Sequence, residues 1–123
     1  MAARTLEAAV RHHRPRVAVI ELHGEINAFA EDVLNAAYAE AERESPDTIL
    51  LNFAAVDYIN STGIALIVSL LARARMAHRR LLACGLSQHY VEIFNITRLA
   101  DFMSVYPDES SALSSDASAT ADR

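Results

Sequence analysis

The strongest constraint on the fold is an alternation of short apolar runs with longer segments of helical periodicity. Thr48-Ile49-Leu50-Leu51-Asn52-Phe53 is nearly uniformly apolar and bounded by turn residues, the pattern of a strand covered on both faces. Leu81-Leu82-Ala83-Cys84, stopped by Gly85, reads the same way. Such strands belong inside a sheet with helices packed on it, and the intervening sequence supplies the helices. Residues 28–44 are dominated by good helix formers, with Phe29, Val33, Ala37 and Ala41 recurring every four residues and Leu34 and Tyr38 widening the stripe. Asn27 suits the N-cap, Glu31 and Asp32 suit the positive end of the dipole, and Ser45-Pro46-Asp47 closes the helix. A second helix is predicted from about Thr62 to His78, with Ile64, Ile67, Val68 and Leu71 on one face. Arg73, Arg75, Arg79 and Arg80 at its end read as a solvated terminus that opposes the negative dipole. Ser87 can cap a third helix over 88–95, with Val91 and Phe94 on its inner side.

The two ends of the chain add strands. Residues 3–11 and the β-rich run Arg16–Leu22 flank a polar turn, Arg11-His12-His13-Arg14-Pro15, and so should pair as an antiparallel hairpin. Gly24-Glu25-Ile26-Asn27 then breaks the pattern. Asp101–Tyr106 alternates enough for a last, edge strand. The order β-β-α-β-α-β-α-β predicts a single α/β domain whose mixed sheet is mostly parallel, apart from the N-terminal hairpin. Beyond a short helix at 108–113 the chain is Ser, Ala and Asp without periodicity. The expected division is a domain over 1–113 and a disordered tail over 114–123.

Composition narrows the function classes. A chain of 123 residues, 52% hydrophobic, fits one soluble domain with a compact core. No run approaches the ~18 apolar residues of a membrane span, and MAARTLEAAV is too polar for a secretory signal, so a cytoplasmic protein is expected. The single cysteine, Cys84, excludes an internal disulfide and a thiolate zinc cage, and its apolar strand suits an inert core thiol. All eleven basic residues are arginine, yet the net charge is −5, which argues against a nucleic-acid binder. Four acids, Asp108, Glu109, Asp116 and Asp122, lie in residues 107–123, so the remainder is nearly balanced. His12 and His13 are adjacent, and neighbours on a strand point to opposite faces, so they chelate poorly. His23 beside Gly24 reads as a strand-end residue, and Asp57 as a cap or turn residue rather than an acid–base group. With only Gly24, Gly63 and Gly85 there is no Gly-rich phosphate loop, and no Ser–His–acid or Cys–His set is discernible. No enzymatic activity, cofactor or metal is expected.

The informative segment is the junction from strand 48–53 into the second helix, because ligand and partner sites in parallel sheets gather at strand carboxyl ends. Ser61 sits there, at the expected N-cap. Capping is the commoner role of such a serine, and Gly63 reads as easing a tight turn. The functional alternative is phosphorylation of Ser61: the N–H groups at the helix start can receive about −1.5 to −2 charges, while a docked partner would meet new charge and bulk.

Gly24-Glu25-Ile26-Asn27, Ile49-Leu50-Leu51-Asn52-Phe53 and Asp57-Tyr58-Ile59-Asn60-Ser61-Thr62-Gly63-Ile64 together resemble a bacterial STAS domain. More narrowly, the chain resembles the free-standing anti-anti-sigma factors, or anti-sigma factor antagonists. Ile93-Phe94-Asn95-Ile96-Thr97-Arg98-Leu99 and Phe102 resemble the third helix and its exit in that family, and agreement in order and spacing runs over roughly residues 5–113. The resemblance implies partner switching. The unphosphorylated antagonist binds a GHKL-type serine kinase that also holds a sigma factor inactive; phosphorylation by that kinase ends binding, and a phosphatase restores the antagonist. Carried onto this chain, it implies Ser61 as phosphoacceptor, with Thr62 second in rank, and a partner surface of Asn27, Asn60, Thr62, Gly63 and Ile64. It implies no direct contact with nucleic acid and no membrane insertion. The chain departs from the family at Asn60 and Asn27, where aspartate is usual. That departure keeps open a second reading, a STAS subunit of a larger assembly such as a lipid-transport complex, bound without phosphoregulation.

Overall fold

The computed structural model describes residues 5–14 and 16–121. Five strands form one mixed sheet in the spatial order β1-β2-β3-β4-β5: β1 Glu7–Arg14, β2 Val17–Ile26, β3 Thr48–Ile59, β4 Arg80–Cys84 and β5 Ser104–Tyr106. β1 and β2 pair antiparallel, and the remaining neighbours pair parallel. Four helices join or follow them: α1 Glu31–Glu42, α2 Ser61–Met76, α3 Gln88–Ile96 and α4 Glu109–Ala121. One face of the sheet builds the main core with Leu34, Tyr38, Ile67, Leu70, Tyr90 and Phe94 of α1, α2 and α3. The opposite face, with Val17, Val19, Leu50, Leu82 and Cys84, packs against Ala112 and Leu113 of α4.

The expected α/β domain with its antiparallel hairpin is therefore present, and the differences lie in element ends. Strand β1 runs to Arg14, which pairs with Val17, so the polar segment expected as a turn is mostly strand. Part of the first predicted strand, residues 3 and 4, lies outside the described residues. Strands β2 and β3 run on to Ile26 and Ile59, well past the expected ends at 22 and 53. Their pairing register shifts between Glu21 and His23 and again between Gly24 and Glu25, so the extension is bulged; burial still alternates along Glu21–Ile26 of β2, whereas β3 stops alternating past Phe53. Gly24, at φ +113°, takes a backbone conformation costly for any other residue. Residues 99–101 form a 3-10 turn, which shortens the last predicted strand to Ser104–Tyr106 at the sheet edge. The helix expected at 108–113 continues as α4 to Ala121, into the segment read as a tail.

The helical stripes are rotated from the simple periodic reading. Residues 28–30 form a 3-10 turn before α1 begins, so the four-residue spacing from Phe29 does not start on the helix. Phe29 is 90% exposed, and the buried face is Leu34, Ala37, Tyr38 and Ala41. On α2 the inner residues are Ile67, Leu70, Leu71 and Ala74, while Val68 is exposed. On α3 they are Tyr90 and Phe94, with Val91 half-buried.

Candidate functional site

Two neighbouring parallel strands end side by side and assemble the site. Ile26 at the end of β2 pairs with Ile59 at the end of β3. The next residues, Asn27 and Asn60, therefore emerge at the same edge, and the Asn60 N–H donates to the Ile26 carbonyl at 3.2 Å. From there the two chains diverge, one into the 3-10 turn Ala28–Ala30 and the other into α2, and these two elements pack on each other. The sheet thus joins two segments more than 30 residues apart in sequence, as the strand-end argument anticipates.

Both asparagines act as caps. Asn60, not Ser61, is the N-cap of α2: it holds extended backbone (φ −93°, ψ −178°) as the last residue of the strand path, and its Oδ1 accepts from the Gly63 N–H at 2.8 Å. Ser61 is the first helical residue, exposed and outside the cap. Asn27 caps the 3-10 turn rather than α1, accepting from the Phe29 N–H at 2.9 Å, and α1 itself has no side-chain cap. At both departures from the family pattern the amide oxygen provides the acceptor that a carboxylate would provide, without its charge.

The remaining site residues divide by exposure. Thr62 is exposed and Ile64 half-buried, whereas Gly63 is buried. A Cβ placed on Gly63 would lie 2.1 Å from the Ile26 carbonyl oxygen. Gly63 is therefore not a turn residue: it lies within α2 and lets the helix press on the end of β2, contributing spacing rather than contact surface. From Ser61 the outer side of α2 continues as Thr62, Ala65, Val68, Ser69 and Ala72, exposed and without a charge. Phe29 stands on the adjoining turn, and Tyr58 just before the cap is half exposed. Sequence periodicity missed Phe29 as a surface group; the signal that could have found it is Asn27, whose capping of a 3-10 turn delays the helix.

Other candidates resolve into structural roles. Arg79 is not solvated: its Nη1 donates to Glu42 Oε2 at 3.0 Å and its Nε to the Pro46 carbonyl at 2.8 Å. Arg73 binds the other oxygen of Glu42 at 3.1 Å and lies 4.4 Å over the Tyr38 ring. Arg75 lies over Phe102, and Arg80 opens β4. Arg73 and Arg79 thus tie α2 and the turn after it to the end of α1 rather than merely answering a helix dipole. Cys84 is fully buried, and burial, followed by the charges of Glu109 and Asp108, pushes its thiol up to about 11. His23 lies inside β2 rather than at its end, with its side chain partly exposed. Among the described residues no group of three His, Cys, Asp or Glu is placed to hold a metal, and no helix is long and apolar enough to cross a membrane.

Fold and site together define an α/β domain that presents a helix start and an uncharged helix face at paired strand ends. The sequence matches the STAS domain family over residues 8–112, and the chain belongs to that family. An anti-sigma-B factor antagonist from Staphylococcus epidermidis is 28% identical over 86 residues, covering 70% of this chain and 80% of its own. Among solved structures, an anti-sigma factor antagonist from Mycobacterium paratuberculosis superposes with a TM-score of 0.73 at 20% identity, covering 90% of this chain and 93% of its own. The phosphorylated form of the Bacillus cell fate determinant SpoIIAA superposes at 0.68 and 20% identity, covering 87% of this chain and 96% of its own.

Proposed function

We propose that this chain is an anti-sigma factor antagonist of the partner-switching type, a cytoplasmic, non-enzymatic binding module. Unphosphorylated, it binds an anti-sigma serine kinase through Ser61, Thr62, Ile64 and the Asn27 turn. Phosphorylation of Ser61 ends the binding, and a phosphatase reverses it. The observation that carries the reading is the position of Ser61: exposed at the first turn of α2 while Asn60 makes the cap. Its hydroxyl can therefore be modified without removing the bond that starts the helix. A phosphate there meets the N–H groups of the helix start, so the fold tolerates it, while a docked surface does not. The similarity to named antagonists, and to SpoIIAA in a phosphorylated form, supports the same reading.

The test uses the protein as bait in extracts of its native host, as wild type, Ser61→Ala and Ser61→Asp, with mass spectrometry of the captured partner and of the Ser61 peptide. The expected result is an ATP-binding kinase retained by the alanine form and lost by the aspartate form, with phosphate found on Ser61 of the wild type. Identical partners on all three baits, with no phosphate on Ser61, overturn the switch. If those partners are transport components, they favour the constitutive-subunit reading.

A further inference from the structure

The sheet face opposite α1, α2 and α3 has a cover of very different quality. Val19, Leu50 and Cys84 are fully buried there and Leu82 is 2% exposed, and the helix lying on them is α4. Among the described residues, the apolar side chains α4 contributes are Ala112 and Leu113; beyond Leu113 its sequence, SSDASATA, contains no large apolar residue. A helix of this length and composition does not hold by itself in water, so its order depends on docking. Its start is docked by a set of polar bonds. Arg11 Nη2 donates to both carboxylate oxygens of Glu109, at 2.8 and 2.9 Å, and Asn52 Nδ2 donates to Oε1 at 3.1 Å. Arg11 is held from the other side by Glu21, at 2.7 and 3.0 Å, so one carboxylate ties α4 to β1 and β3 through a guanidinium anchored on β2. Asp108 caps the helix through the Ser111 N–H at 2.8 Å, and the Tyr106 and Ser115 hydroxyls meet at 2.9 Å. None of these bonds belongs to the sheet ladder, so all can break while the five strands stay paired.

We infer that α4 is a hinged cover clasped by Glu109, which opens as a unit on a folded sheet and thereby uncovers the apolar face that carries Cys84. The opening is a local unfolding event, distinct from global unfolding because the main core on the other face is untouched. Accessibility of that second face is then governed by one charge-assisted clasp rather than by the stability of the whole domain.

Cys84 is the sole thiol of the chain and reports the opening directly. The experiment measures the rate at which the full-length protein reacts with a small disulfide reagent in 0 to 2 M urea, as wild type and as Glu109→Gln, alongside global unfolding followed by circular dichroism. The expected result is a labelling rate that is flat at low urea in both proteins and roughly tenfold faster in Glu109→Gln, the loss of a charge-assisted bond. A rate that climbs with urea from the first increment, with the slope of global unfolding, means that Cys84 is reached only by unfolding the domain and overturns the inference. An equal flat rate in the two proteins overturns the role of the clasp. The urea dependence keeps the result readable if Glu109→Gln also lowers overall stability.

Discussion

At the residue scale the site rests on two side chains that the structure assigns differently from a sequence reading. Asn60 takes the capping role expected of Ser61, because the strand path delivers its backbone in the extended conformation an N-cap requires. Asn60→Asp should therefore keep the bond to Gly63 and add a negative charge at the positive end of α2, raising stability by roughly 0.3–1 kcal/mol in urea unfolding at pH 7. A loss of stability would mean that the amide nitrogen of Asn60, not only its oxygen, is needed. Gly63→Ala should cost about 1–3 kcal/mol despite the helix propensity it gains, since the new methyl would overlap the Ile26 carbonyl and must push α2 off the strand end. The same shift should weaken partner capture, which co-purification with the Gly63→Ala bait would reveal. That Ser61 and Thr62 stand at a helix start was legible in the sequence; which neighbour caps the helix was not, because capping depends on backbone angles set by the parallel pairing of β2 and β3.

At the scale of elements, apolar patterning placed the five strands and α1, α2 and α3, but not their ends or their rotation, and gave only the start of α4. The Phe29, Val33, Ala37, Ala41 spacing looks like one stripe only if the helix begins at residue 28. A 3-10 turn has three residues per turn rather than 3.6, so inserting one before α1 rotates Phe29 away from the stripe and into solvent. Phe29→Ala is accordingly expected to leave thermal stability unchanged within about 0.5 kcal/mol. If the Asn27 turn belongs to the partner surface, the same change should weaken partner binding roughly tenfold, as removal of an aromatic anchor does. Unaltered binding of the Phe29→Ala protein, measured by titration with the captured partner, would confine the interface to α2. The strand extensions escaped sequence reading for another reason: Gly24 breaks the β-rich run of β2, and β3 stops alternating past Phe53, so cross-strand pairing is what identifies Gly24–Ile26 and Val56–Ile59 as strand.

At the scale of the whole molecule, the clasp that holds α4 on the sheet is expected to weaken in acid. Glu109 is partly desolvated, which raises its pKa, but the hydrogen bonds from Arg11 and Asn52, aided by the charges of Arg11 and His13, outweigh that and hold it below its ordinary value of 4.5. A carboxylate depressed in the folded state contributes stability that is complete above its unfolded value and is lost as the pH falls through the folded one. The charged groups around it are Arg11 and His13 on β1, Glu21 on β2 through Arg11, and Asp108 beside it, itself lowered by the Ser111 N–H. The wild type should therefore lose stability between pH 5 and pH 3 more steeply than Glu109→Gln, a comparison that urea unfolding at each pH checks. Parallel curves would show that the clasp contributes nothing. By itself the sequence determined the class of fold, the order of its elements and the segment that carries the site. Those follow from local apolar patterning and turn chemistry, which each stretch of chain expresses alone. Tertiary structure decided which side chains cap, which aromatic faces solvent, why Gly63 must lack a side chain, and that a Ser- and Ala-rich segment forms a helix over the second face of the sheet. Each of these depends on contacts between residues far apart in the chain, and α4 in particular is held by Arg11 and Asn52, so the information that orders it lies outside its own sequence.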